Sequence, residues 1–323
     1  METYTLNSGI EIPAIGYGTY RATDSSTGIE AMTQAINLGY RLIDTAAAYG
    51  NEQAVGEAIK RSAIDRKEIF LTTKVANTDR GYDSTLRAFD QSVSRLATDY
   101  IDLYLIHWPA SQATQPQWRR INASTWRAME RLLAEGRCRA IGVSNFMPVH
   151  LQALANESDL TPAVNQIEFH PGMMQRDTLD YCHRAGIRVE AWSPLGRTRV
   201  LDDPILSDIA ARHDKTTAQI CLRWAVQLGV IPIPKSVNPQ RMKQNLDIFD
   251  FSLSPEGSSL SRCSCRLNSF FELNLRIGRK YFKSDTFTCL PYKSPLQIQP
   301  LPARNYIKKS VKSVPIRDKM IRV

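Results

Sequence analysis

From residue 13 to about residue 250 the chain alternates between two patterns. Short apolar runs rich in β-branched and aromatic residues occur at 14–18, 42–45, 69–75, 101–107, 140–144, 163–168, 188–192 and 230–234. Between them lie stretches with apolar residues three and four apart, such as 84–96, 125–135 and 178–185. In STLRAFDQSVSRL, Leu86, Phe89, Val93 and Leu96 fall on one helix face. The short runs are apolar on both faces, as strands of a parallel sheet covered by helices are. Eight strand–helix units within about 240 residues predict an α/β fold, a (β/α)8 TIM barrel with a short N-terminal β-hairpin. An open doubly wound sheet is the rival. Against it, GYGTY at 16–20 is the only glycine-rich strand end and lacks the G-x-G-x-x-G fingerprint.

After DIFDFSLSPEG the alternation stops, and the charge changes with it. Residues 257–323 carry 14 of the 41 Lys and Arg but only 3 of the 32 Asp and Glu, leaving 27 basic and 29 acidic residues in 1–256. The formal net charge of +9 therefore belongs to the tail, and the body does not have the composition of a nucleic-acid-binding protein. The expected division is a barrel over 1–256 and an atypical, poorly ordered basic tail over 257–323. The abruptness of the switch points to a reading-frame change near residue 257.

Hydrophobic residues make up 43% of the chain, with no run near the roughly 20 apolar residues of a membrane span. METYTLNSGIEIP shows neither part of a secretory signal, so a cytoplasmic protein is expected. Cys138, Cys182 and Cys221 stand singly, and Cys263, Cys265 and Cys289 lie in the tail; none has the spacing of a metal site or disulfide framework.

Polar side chains stand where apolar strands end. Asp44 closes the second, Tyr49 lies in the loop behind it, Lys74 ends IFLTTK, and His107 ends IDLYLIH. In a barrel these ends converge on the face that carries active sites. Singly, Asp44 reads equally well as a helix cap, His107 as a structural histidine, Tyr49 as a pocket wall and Lys74 as a snorkelling cation. Together they suit proton donation to a carbonyl oxygen. A free phenol titrates near pH 10, a nearby ammonium lowers that value, and a carboxylate would hold the ammonium in place. A histidine beside the phenol could orient the carbonyl, with a hydride donor on its other side. Separately, PKSVNPQRMKQN puts Lys235 and Ser236 at a strand end and Arg241 and Asn245 on the following helix, a ready phosphate site.

GYRLIDTAAAYGNEQAVG, IDLYLIHWP, AIGVSNF, NQIEFHP, AWSPLG and IPKSVNPQRMKQN resemble, in order and spacing, the signatures of the aldo-keto reductase family. The resemblance runs from residue 5 to about 255 and is nearest the bacterial 2,5-diketo-D-gluconate reductase branch. It implies a monomeric barrel that uses NADPH and no metal to reduce small aldehydes, ketoaldehydes or diketo sugar acids. Tyr49 would be the proton donor, Asp44 and Lys74 its tuning pair, and His107 the residue that orients the carbonyl. Ser144, Asn145 and Gln166 would hold the nicotinamide carboxamide, and Trp192 would stack on its ring. Gly18, Thr19, Asp44, Ser193 and Leu195 would also lie along the cofactor. Lys235, Ser236, Arg241 and Asn245 would receive the 2′-phosphate, favouring NADPH over NADH. Tyr20, Trp108 and residues 109–124 would join Tyr49 and His107 in the substrate pocket. Ala76 replaces the family's usual tryptophan, so a wider pocket is expected there. The competing functions are a non-catalytic NADPH-binding auxiliary protein, a reductase impaired by its tail, and a tail that binds an anionic surface.

Overall fold

The computed structural model describes residues 2–23, 25–111 and 115–254. The basic segment from 257 onward, and the expectations attached to it, lie outside the described residues. A two-stranded antiparallel hairpin, β1 (Thr3–Thr5) and β2 (Glu11–Pro13), opens the chain. Eight parallel strands follow: β3 (Tyr17–Gly18), β4 (Leu42–Asp44), β5 (Phe70–Val75), β6 (Ile101–Ile106), β7 (Cys138–Ser144), β8 (Val164–Glu168), β9 (Arg188–Trp192) and β10 (Val230–Pro232). They pair in chain order. The helices between them are α1 (Ser26–Asn37), α2 (Glu52–Ser62), α3 (Tyr82–Leu96), α4 (Trp118–Ala134), α5 (Pro148–Ala155), α6 (Arg176–Ala185), α7 (Pro204–Arg212) and α8 (Thr217–Gln227). A ninth, α9 (Pro239–Leu246), follows β10. This is the (β/α)8 barrel expected from the alternation, with its N-terminal hairpin.

The barrel closes where β3 meets β10, and the sequence explains the form of that seam. Gly16 and Gly18 donate their amides to the carbonyls of Pro232 and Pro234 at 3.0 and 3.2 Å. The two prolines have no N–H to return, so the bonds run one way and the regular strands are shorter than the apolar runs 14–18 and 230–234. A side chain at Gly18 would sit 2.8 Å from the Ile233 carbonyl oxygen, so only glycine allows the approach.

Along each strand, alternate residues enter different cores. Leu42, Leu103, Leu105, Ala140 and Val164 pack inside the barrel with Leu6 and Ile12 of the hairpin, which plugs its N-terminal end. Ile43, Tyr104, Ile106, Ile141, Val189 and Ala191 face the helices. The interior row continues, residue by alternate residue, into Asp44, Lys74, Ser144, Gln166 and Glu190 at the opposite end.

The helices end on recognisable local chemistry. The Ser25 hydroxyl caps α1, Asp203 caps α7 ahead of Pro204, and Thr216 with Gln219 forms a capping box on α8. Helix α4 begins at Trp118, seven residues earlier than its apolar spacing suggests, because its first turns bury few apolar groups; Asn122 is instead buried against Arg80. The loop expected over 109–124 is correspondingly shorter.

Gly56 on α2 gives a clean test of packing against propensity. Exchanging a helical glycine for alanine should stabilise by about 1 kcal/mol. Here the new Cβ would lie 2.5 Å from the backbone oxygen of Leu96, where α3 ends. Overpacking costs about 1–3 kcal/mol, so Gly56→Ala is expected to lower the denaturant midpoint; a raised midpoint would show that the two helices can separate freely.

Candidate active site

The C-terminal end of the barrel has a polar floor. Lys74 is fully buried, and its ammonium donates to both oxygens of Asp44 at 2.7 Å and to the Thr45 carbonyl at 2.8 Å. All three N–H bonds are thereby satisfied. Burial alone would lower the Lys74 pKa, but the Asp44 carboxylate, with smaller contributions from Tyr49 and Glu190, outweighs it and holds the ammonium above the ordinary lysine range. Asp44 accepts a further bond, at 2.7 Å, from the side-chain amide of Gln166 across the barrel.

Tyr49 stands above this pair on a short 3-10 turn, Ala47–Tyr49, ended by Gly50 in the left-handed region. The turn is anchored on both sides. Thr45 donates its hydroxyl to Asn51 at 2.8 Å, and the Asn51 amide bonds the carbonyls of Thr19 and Ala22 at 2.9 and 3.0 Å. The Lys74 ammonium lies 5.2 Å from the Tyr49 ring centre, and the His107 and Tyr20 rings lie 5.6 and 5.1 Å from it. Burial raises the Tyr49 pKa, and Lys74 only partly draws it back. The expected lowering by the ammonium is present, but burial exceeds it, so the phenol keeps its proton at neutral pH. Burial, reinforced by Lys74, takes His107 down to about 3. Its imidazole is therefore neutral, able to form hydrogen bonds but unable to act as the acid.

Tyr49 and His107 open into a cavity of about 440 Å³. Thirteen of the residues anticipated from the sequence line it: Gly18, Tyr20, Asp44, Tyr49, His107 and Trp108 near the phenol, then Ser144, Asn145, Gln166, Trp192, Ser193, Leu195 and Lys235. Lys74 lies beneath. Thr19 and Asn245 are buried away from the cavity, and Ser236 and Arg241 lie beyond its lining. Ala76 is partly buried and does not line it.

Asn145, in a left-handed conformation that asparagine tolerates, donates to the His107 carbonyl at 3.0 Å and accepts from the Trp192 indole at 2.9 Å. The Ser144 hydroxyl donates to the Gln166 backbone carbonyl at 2.8 Å. Two buried phenols hold the segment after β10: Tyr17 donates to the Ser236 carbonyl and Tyr40 to that of Met242. Asn238 caps α9 by accepting the Arg241 amide, so that helix's first turn is already partly satisfied.

Two charged residues were not anticipated. Arg197 lines the cavity from the loop after β9, and its signal was a cation directly behind AWSPLG. Glu190 is fully buried beside Gln166, and its signal was a carboxylate on the interior alternation of β9.

The sequence model of the Aldo/keto reductase family matches residues 14–260. The glyoxal reductase of Bacillus subtilis is 47% identical over 255 residues, covering 79% of this chain and 90% of that protein. A crystal structure of an aldo/keto reductase from Brucella melitensis superposes with a TM-score of 0.77 at 46% identity, over 81% of this chain and 99% of that one. The Bombyx mori aldo-keto reductase, solved in complex with NADP, gives 0.74 at 36% identity, over 81% and 92% of the two chains. A barrel end furnished with a protonated phenol, a buried ammonium and a neutral imidazole agrees with these similarities: the chain belongs to the aldo/keto reductase family, oxidoreductases that reduce carbonyl compounds.

Proposed function

We propose that the chain reduces small aldehydes and α-ketoaldehydes to alcohols with NADPH, Tyr49 donating the proton. The observation that carries this reading is the buried Lys74 ammonium, fixed by Asp44 and Thr45 beneath a phenol that faces a neutral His107. The glyoxal reductase relative favours a compact dicarbonyl over a bulky sugar acid as the substrate.

The residues present fit a nicotinamide dinucleotide phosphate. Among the residues lining the cavity, Trp192 offers an aromatic wall, Ser144, Asn145 and Gln166 offer polar groups, and Arg197 and Lys235 offer positive charge. When bound, the reduced nicotinamide supplies a hydride to the carbonyl carbon. His107 orients the carbonyl by a hydrogen bond to its oxygen. Tyr49 transfers its phenolic proton to that oxygen as negative charge develops there, and the phenolate left behind is stabilised by Lys74. Asp44 keeps Lys74 from reorienting during the transfer. Solvent then returns a proton to Tyr49.

Loss of NADPH absorbance on adding glyoxal or methylglyoxal tests the reading. Turnover is expected, and tight NADPH binding without turnover of either compound would overturn it. Lys235→Ala tests the phosphate end, because among the described residues Lys235 forms no ion pair. A charge-assisted hydrogen bond contributes about 1.5–3 kcal/mol, so NADPH affinity should fall roughly tenfold or more. NADH affinity should change little. Fluorescence titration of both cofactors checks this, and an equal loss for both would remove Lys235 from the 2′-phosphate site.

A further inference from the structure

Glu190 takes no part in the proton transfer described above, yet it occupies an expensive position. In RVEAW, Val189 and Ala191 face the helices and Glu190 faces the barrel interior. A carboxyl group without contact with water needs a partner. Its strand neighbour on β8 is Gln166, its register partner, and the Gln166 amide nitrogen donates to the Glu190 carboxyl at 2.8 Å. On the other side its register partner is Ile231 of β10, which brings no charge. The second carboxyl oxygen of Glu190 is buried without a hydrogen bond.

The same Gln166 nitrogen donates to Asp44 at 2.7 Å. Asp44 serves as the acceptor for the Lys74 ammonium, so the nitrogen, not the oxygen, of the Gln166 amide faces it. A primary amide has two N–H bonds, and here one meets Asp44 and the other Glu190. That leaves the amide oxygen as the group Gln166 can present to the cavity it lines. Asp44 alone would hold the amide at one point, about which it could turn; Glu190 supplies the second.

We propose that Glu190 is a positioning residue that, with Asp44, aims the Gln166 side-chain oxygen into the cavity as the acceptor for the amide N–H of the nicotinamide carboxamide. This rests on the NADPH reading given above. The protonation of Glu190 agrees with the geometry. Burial, then the nearby Asp44 charge, pushes it up to about 8, against opposing pulls from the Gln166 hydrogen bond and Lys74. Below that pH it is a neutral acid whose accepting oxygen serves Gln166.

The test compares NADPH with its 3-acetylpyridine analogue, in which a methyl group replaces the carboxamide nitrogen and no N–H remains to be accepted. Binding of each is followed by tryptophan fluorescence in the full-length wild type, Glu190→Leu and Glu190→Gln. In the wild type NADPH should bind more tightly than the analogue. Glu190→Leu should weaken NADPH about tenfold, the equivalent of one hydrogen bond, and the analogue by under about twofold. Glu190→Gln, which keeps an accepting oxygen, should restore NADPH affinity at pH 7. Equal losses for both cofactors in Glu190→Leu, or an unchanged NADPH affinity, would overturn the proposal. Should Glu190→Leu fail to fold, Glu190→Met takes its place, and equal losses for the two cofactors overturn the proposal. Wild-type protein that binds neither cofactor would instead overturn the NADPH reading.

Discussion

Replacing Tyr49 with Phe should reduce the rate of NADPH-dependent carbonyl reduction by about 10²–10⁴-fold, the range a positioned general acid contributes. NADPH affinity should change little, because the phenyl ring keeps its packing between His107 and Tyr20 and only the hydroxyl is lost. The loss should appear in kcat. His107, held to about 3, is a neutral imidazole at neutral pH and cannot substitute as the acid. The Lys74 ammonium cannot substitute either, since its three N–H bonds are committed to Asp44 and Thr45. Absorbance assays with glyoxal and fluorescence titration of NADPH check the two halves separately. Activity within tenfold of wild type would require a different proton donor, and a parallel loss of cofactor affinity would mean that the variant had disturbed the cavity.

The group proposed to donate the proton was legible in the sequence because barrel topology turns strand ends into neighbours. Asp44, Lys74 and His107 each lie at or next to the end of an apolar strand, and a reader who accepts the barrel can bring them together without coordinates. Glu190 was missed because it sits in the middle of β9, where attention to strand ends does not reach. The finer rule was available: alternation places residues 42, 44, 72 and 74 on the inner face, and the same count from Val189 and Ala191 places Glu190 there. Its partner could not be read off, since the Gln166 contact depends on the register of β8 against β9. Registry between strands is set by packing of the whole barrel and leaves little local trace.

Other differences have equally local causes. The runs at 14–18 and 230–234 look like ordinary strands by hydrophobicity, but proline carbonyls at the seam make one-way bonds with the glycine amides. The early turns of α4 were hidden because their buried residue is the polar Asn122, which a search for apolar spacing passes over. The proposed phosphate-binding residues are legible as composition only. Lys235 reaches the cavity while Ser236, Arg241 and Asn245 do not line it, and Arg197 enters from a loop whose course no periodicity predicts.

The second large effect separates what the floor does for stability from what it does for chemistry. Asp44→Leu leaves the Lys74 ammonium fully buried with no carboxylate beside it, and removing one partner of a buried ion pair destabilises by roughly 3–5 kcal/mol. A fall in Tm of about 10 °C is expected for a chain of this size. Adding Lys74→Met removes the stranded charge and refills most of its volume with an apolar chain. The double variant should therefore recover much of the lost stability, because a buried pair exchanged for packed apolar groups is often close to neutral. Some deficit should persist, since Gln166 loses its Asp44 acceptor and the Thr45 carbonyl loses its donor. The comparison belongs near pH 7. A lysine whose folded pKa is raised above its ordinary 10.5 contributes its full stabilisation below that value and loses it only as the pH climbs through the raised one. Activity should not recover with stability: without the ammonium, Tyr49 has nothing to stabilise its phenolate, and turnover should stay far below wild type. A double variant no more stable than Asp44→Leu would show that the pair is not energetically coupled. One that regained near-wild-type turnover would show that the proton transfer does not depend on Lys74.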